Sequence, residues 1–173
     1  MNNALLRQYG LVLALLVAFL VVLWLVMANA PTIETLEARL LVQPVVALVA
    51  LTCIVWLLMF FYRNFAVAGG KAQLGYYRGY SGEAPPEWVE RPARTFANLL
   101  EVPVLFYLLC VLMLQTATWD GTQVALAWLF VAMRVLHAAV YIGVNIVPLR
   151  LVTYLMGCIT LIVMWWRFAA SFV

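Results

Sequence analysis

Three short ladders of polar residues interrupt otherwise apolar segments of this chain. Arg91, Arg94, Asn98 and Glu101 follow at spacings of three, four and three. Arg134, His137 and Tyr141 repeat the pattern at three and four, and Arg150 is followed by Thr153 and Tyr154. On a helix each set falls on one face. Ionisable groups inside apolar segments are costly, so they face a bundle interior, pair with one another or mark function. Arg63, Arg94, Arg134 and Arg150 stand against the single carboxylate Glu101. Guanidinium forks match carboxylates in a two-point geometry. The chemistry in view is therefore capture of an anionic, hydrophilic ligand, and one with both carboxylates and an amine fits well. Glu101, about two turns into its helix, would take the ammonium or orient an arginine; it needs Arg94, Arg134 or Arg150 as a partner. Plainer readings stand beside these: snorkelling for Arg63, Arg91 and Arg94, belt aromatics for Tyr141 and Tyr154, a structural ion pair for Glu101. His137 has no second histidine or cysteine beside it, so no metal site is expected. Cys53, Cys110 and Cys158 lie in separate apolar runs and read as packing residues, with no disulfide framework.

The elements that must position these ladders follow from composition. The chain has 173 residues, 68% hydrophobic and 10% charged, with a mean hydropathy of +1.05. A soluble domain carries about 25% charged residues, so most of this surface meets lipid. Five segments are long and apolar enough to span a bilayer, which takes about 20 residues: Leu11 to Ala28, Leu40 to Tyr62, Phe96 to Leu114, Val124 to Gly143 and Leu149 to Phe172. Pro44 is expected in the first turn of the second, where a missing amide does little harm. The stretch Arg63 to Thr95 is rich in glycine and proline and reads as loop. Ala28, Asn29 and Ala30 resemble a cleavage site behind Arg7, but the apolar run exceeds a signal-peptide core of about 7–15 residues. The expectation is a retained anchor over residues 1–30 and a helical domain over residues 38–173, with a loop at 63–94.

Arg63, Lys71, Arg78, Arg91 and Arg94 flank or occupy that loop; the link around Asp120 has no basic residue, and Arg39 is offset by Glu34 and Glu37. The positive-inside rule then puts the loop in the cytoplasm, the expected compartment being a bacterial inner membrane. The three ladders consequently share one depth, within about 10–15 Å of the cytoplasmic surface. The net charge of +3 is scattered, so no nucleic-acid footprint is expected. No span is broken at mid-membrane, which argues against a transporter.

The order Arg94-x-x-x-Asn98-x-x-Glu101-x-Pro103, then Arg134-x-x-His137-x-x-x-Tyr141, then Pro148-x-Arg150-x-x-Thr153-Tyr154 resembles the MAPEG family, the membrane-associated proteins of eicosanoid and glutathione metabolism. The resemblance covers residues 40 to 172. It implies an all-α membrane protein, a four-helix transmembrane bundle of MAPEG type plus one N-terminal transmembrane helix, assembled as a homotrimer with glutathione between subunits. Arg63, Arg94, Asn98, Glu101, Arg134, His137, Tyr141 and Tyr154 would bind glutathione, and Arg150 would be catalytic, stabilising its thiolate. A nearby cation lowers a thiol's pKa and so makes it a nucleophile. The implied activity is that of a glutathione-dependent transferase or peroxidase acting on a hydrophobic electrophile or lipid hydroperoxide that arrives through the bilayer. The alternative is a non-catalytic lipid-binding or scaffold protein of the same fold. The first span has no counterpart in the family pattern, Ala97 replaces an arginine that some members carry, and Leu151 stands where prostaglandin E synthase has a serine.

Overall fold

The computed structural model describes residues 3–29 and 37–173; Ala30 and Glu34 lie outside the described residues. Six helices occur among them: α1 (Asn3–Asn29), α2 (Arg39–Ala68), α3 (Leu74–Gly79), α4 (Glu87–Thr116), α5 (Gly121–Ile142) and α6 (Val147–Ala170). All but the short α3 are long and apolar enough to cross a membrane.

The helices begin and end where local chemistry dictates. Asp120 caps α5, its carboxylate accepting the Gln123 N–H at 2.8 Å. Pro148 sits in the first turn of α6, where no amide is required. Ala117 and Asn145 close α4 and the α5–α6 link in the left-handed region. Two boundaries differ from expectation. Helix α4 starts at Glu87, so Arg91 and Arg94 are helical and the loop is shorter than 63–94 and contains α3. Helix α2 starts at Arg39, which puts Pro44 in its second turn and removes the amide partner of the Leu40 carbonyl.

Helices α2, α4, α5 and α6 form an antiparallel bundle. Its tightest seams are α5 on α6 and α2 on α4, and α4 touches α6 only lightly. Phe106 and Phe130 stack at 4.7 Å in the fully buried centre, among Leu48, Leu109, Leu126 and Met164. Lipid tails are as apolar as leucine, so such contacts hold the bundle by close packing rather than by exclusion from water. Helix α1 lies against α5 and α6. It buries one stripe, Phe19 and Leu23 with Val12, Leu15, Leu16 and Val26, and leaves Trp24 and Val17 exposed.

Up-and-down connectivity fixes the two ends of the bundle. At one end Arg91 of α4 donates to the Gly143 carbonyl in the α5–α6 link at 3.0 Å. At the other, Arg167 of α6 donates to Asp120 at the start of α5 at 2.7 Å. The loop that carries α3 joins the first of these ends.

Candidate functional site

At the loop end, the light contact between α4 and α6 leaves an open cleft of about 300 Å³ lined by Asn98, His137, Tyr141, Val147, Arg150, Leu151 and Tyr154. All three ladders contribute. That volume is at the lower end of the ~300–1,000 Å³ of small-molecule sites. Among the described residues no carboxylate lines it.

Arg150 is half-buried and held on two sides. Its guanidinium carbon lies 3.6 Å from the centroid of the Tyr141 ring, a cation–π contact. Its Nη1 donates to Asn145 Oδ1 at 2.8 Å, and its Nε has no partner. Among the described residues no carboxylate pairs with it, so its charge is unneutralised.

The tautomer of His137 follows from its neighbours. Nδ1 lies 3.1 Å from the Arg150 carbonyl and 3.2 Å from Thr153 Oγ1. The Thr153 hydroxyl is already committed as donor to the Leu149 and Arg150 carbonyls at 3.0 Å each. A carbonyl only accepts, so this network assigns the proton to Nδ1. Nε2 then carries the lone pair, buried and without a partner.

Arg134 lies one layer deeper, 1% exposed. Its Nη2 donates to the Tyr154 carbonyl at 2.9 Å, while Nε and Nη1 have no partner. The guanidinium sits 5.2 Å from the Phe130 ring and 5.0 Å from that of Tyr154. It packs so closely on α6 that a Cβ at Gly157 would meet Nη2 at 2.2 Å. Only glycine admits it there. Arg134 therefore adds positive potential behind the cleft without lining it.

The remaining expected residues lie elsewhere. Glu101 and Arg94 are exposed on the outer flank of α4, and among the described residues neither forms an ion pair. The partner expected for Glu101 within the chain is not there. Arg63 faces the loop, 5.1 Å from the Tyr77 ring; burial and the nearby Glu90 hold the Tyr77 phenol above its ordinary pKa, against the opposing pull of Arg63. Below the cleft, an apolar groove of about 560 Å³ continues between α4 and α6, lined by Val102, Leu105, Cys158, Leu161, Ile162 and Trp165 among others. Among the described residues no group of three His, Cys, Asp or Glu side chains is placed to hold a metal ion.

A sequence model of the MAPEG family matches residues 41–170, taking in all of α4, α5 and α6 and nearly all of α2. The chain belongs to the MAPEG family. It is an integral membrane protein of the type that serves glutathione and eicosanoid metabolism, with α1 as a helix ahead of the MAPEG segment. No match was found among curated proteins or among solved structures. Of the residues expected from the sequence, Asn98, His137, Tyr141, Arg150 and Tyr154 line the cleft, whereas Asn145 and Glu87, which tie Arg150 to α4, were not anticipated. Asn145 had a signal: an asparagine between Gly143 and Pro148, in a link too short for anything but a tight turn.

Proposed function

We propose that the cleft binds glutathione and that the protein is a glutathione-dependent transferase or peroxidase of the membrane. The observation that carries this is Arg150: an arginine lining the cleft beside His137 and Tyr154, with no carboxylate among the described lining residues and no ion pair of its own. Arg150 and, at longer range, Arg134 favour the thiolate over the thiol. The glutathione S–H proton passes to solvent, and the sulfur forms a bond to the electrophilic carbon as the leaving group departs with its electron pair. With a lipid hydroperoxide, the sulfur bonds to the outer oxygen and becomes a sulfenic acid as the O–O bond breaks and the lipid leaves as an alkoxide that takes a proton from water to become its alcohol. A second glutathione then condenses with the sulfenic acid to give the disulfide and water. The apolar groove between α4 and α6 is the natural approach for a hydrophobic substrate held in lipid.

The cleft is small for a tripeptide, and Glu101 and Arg94 stand exposed at its flank. Both facts support an assembly in which a second copy completes the site beside α4, and the family resemblance implies a homotrimer. The basic loop supports a cytoplasmic loop end. The test is glutathione binding and conjugation to 1-chloro-2,4-dinitrobenzene by protein purified in nanodiscs, with Arg150→Ala as control. Saturable binding and turnover that the variant loses support the reading. Absence of both removes it, and binding without turnover on varied electrophiles and hydroperoxides would favour a lipid-binding or scaffold role.

A further inference from the structure

The link between α5 and α6 holds a residue for which ligand chemistry has no direct use. Asn145 is half-buried with φ +50°, a region that few L residues other than asparagine and aspartate enter readily. Its N–H donates to the Val140 carbonyl at 2.8 Å, closing the turn. The amide side chain is used at both ends. Oδ1 accepts from Arg150 Nη1 at 2.8 Å, and Nδ2 donates to the Glu87 carboxylate. Glu87 is in turn paired with Arg91 at 3.4 Å, and Arg91 donates to the Gly143 carbonyl at 3.0 Å. The contacts form a closed circuit from the start of α4 to the turn and back, and Arg150 is fastened to it.

The choice of an amide matters. A carboxylate in place of Asn145 would hold the guanidinium equally well, but it would neutralise the charge and repel Glu87. The amide fixes Arg150 and leaves its charge for the ligand. Without that hold, a long arginine side chain at a membrane edge swings toward water. We infer that Asn145 is a positioning residue that, through Glu87 and Arg91, holds the Arg150 guanidinium over the cleft in the orientation that favours a bound thiolate. This inference rests on the glutathione reading above.

The test uses the full chain in nanodiscs and Asn145→Gly, which keeps a positive φ accessible while removing the amide. One arm follows glutathione thiolate by ultraviolet difference absorbance against pH. The midpoint in Asn145→Gly rises by about one pH unit, a tenfold loss of thiolate at fixed pH. The other arm needs no glutathione. It measures labelling of Arg150 by phenylglyoxal, mapped by mass spectrometry, and expects severalfold faster labelling in Asn145→Gly and in Glu87→Ala while buried Arg134 stays protected. Unchanged Arg150 labelling would overturn the inference, as would faster labelling with an unmoved thiolate midpoint. If labelling accelerates but the wild type forms no thiolate, the hold on Arg150 stands and the glutathione reading falls.

Discussion

The two ends of the bundle treat charge in opposite ways. At the far end, Arg167 meets the carboxylate of Asp120 at 2.7 Å, and the same carboxylate caps α5. Nearby, Gln123 Nε2 pins α5 to the Met164 carbonyl of α6 at 3.1 Å. Cation and anion are both consumed in holding two helices together. At the loop end, Arg150 faces an amide and a ring, and Arg134 faces a carbonyl and two rings. Among the described residues here, only Arg91 has a carboxylate, Glu87, and that pair serves the turn rather than the cleft. Charge spent on partners stabilises a fold, whereas charge left with rings and amides is available to a ligand. The comparison separates an architectural end from a binding end in one short bundle.

Substitutions at the two ends should therefore move different observables. The largest expected effect is Arg150→Ala, which removes the cation from the cleft and should lower conjugation by roughly 10²-fold. Thermal unfolding should be little changed, and a matching loss of stability would blur the distinction. Gly157→Ala comes next. Its Cβ cannot coexist with the Arg134 guanidinium as packed, so we expect about 1–3 kcal/mol of destabilisation in unfolding titrations. His137→Phe keeps an aromatic ring but deletes the Nε2 acceptor and the Nδ1 anchor, and should weaken glutathione binding by roughly tenfold, about 1.4 kcal/mol, in calorimetry. Smallest is Asp120→Ala at the far end. Loss of the cap and of a half-exposed ion pair should cost about 1 kcal/mol of stability, with glutathione affinity unchanged. A change in affinity there would contradict the division of roles.

Much of this division was legible in sequence. Spacings of three and four put His137 with Tyr141 and Arg150 with Tyr154 on single faces, and short links between apolar runs forced those faces to one end. The α4 ladder was read less well, for a geometric reason. At about 100° per residue, Arg94 and Glu101 lie some 40–60° to one side of Asn98. The rim of the cleft takes Asn98 and leaves the other two on the outer flank. Which edge of a face meets a neighbour depends on helix rotation, and no spacing within one helix reports that. Arg63 does not line the cleft within the chain for a related reason: the loop folds α3 back, and Tyr77 receives the guanidinium. The burial of Arg134 depended on Gly157, a small residue on another helix, and nothing local to Arg134 announces it.

The measurement that bears most directly on the central claim is a calorimetric glutathione titration of the nanodisc-embedded protein, run in parallel on wild type, Arg150→Ala and Asp120→Ala. Saturable binding is expected in the wild type, with its loss in Arg150→Ala and its retention in Asp120→Ala. No binding in the wild type, or equal loss in both variants, would contradict that claim.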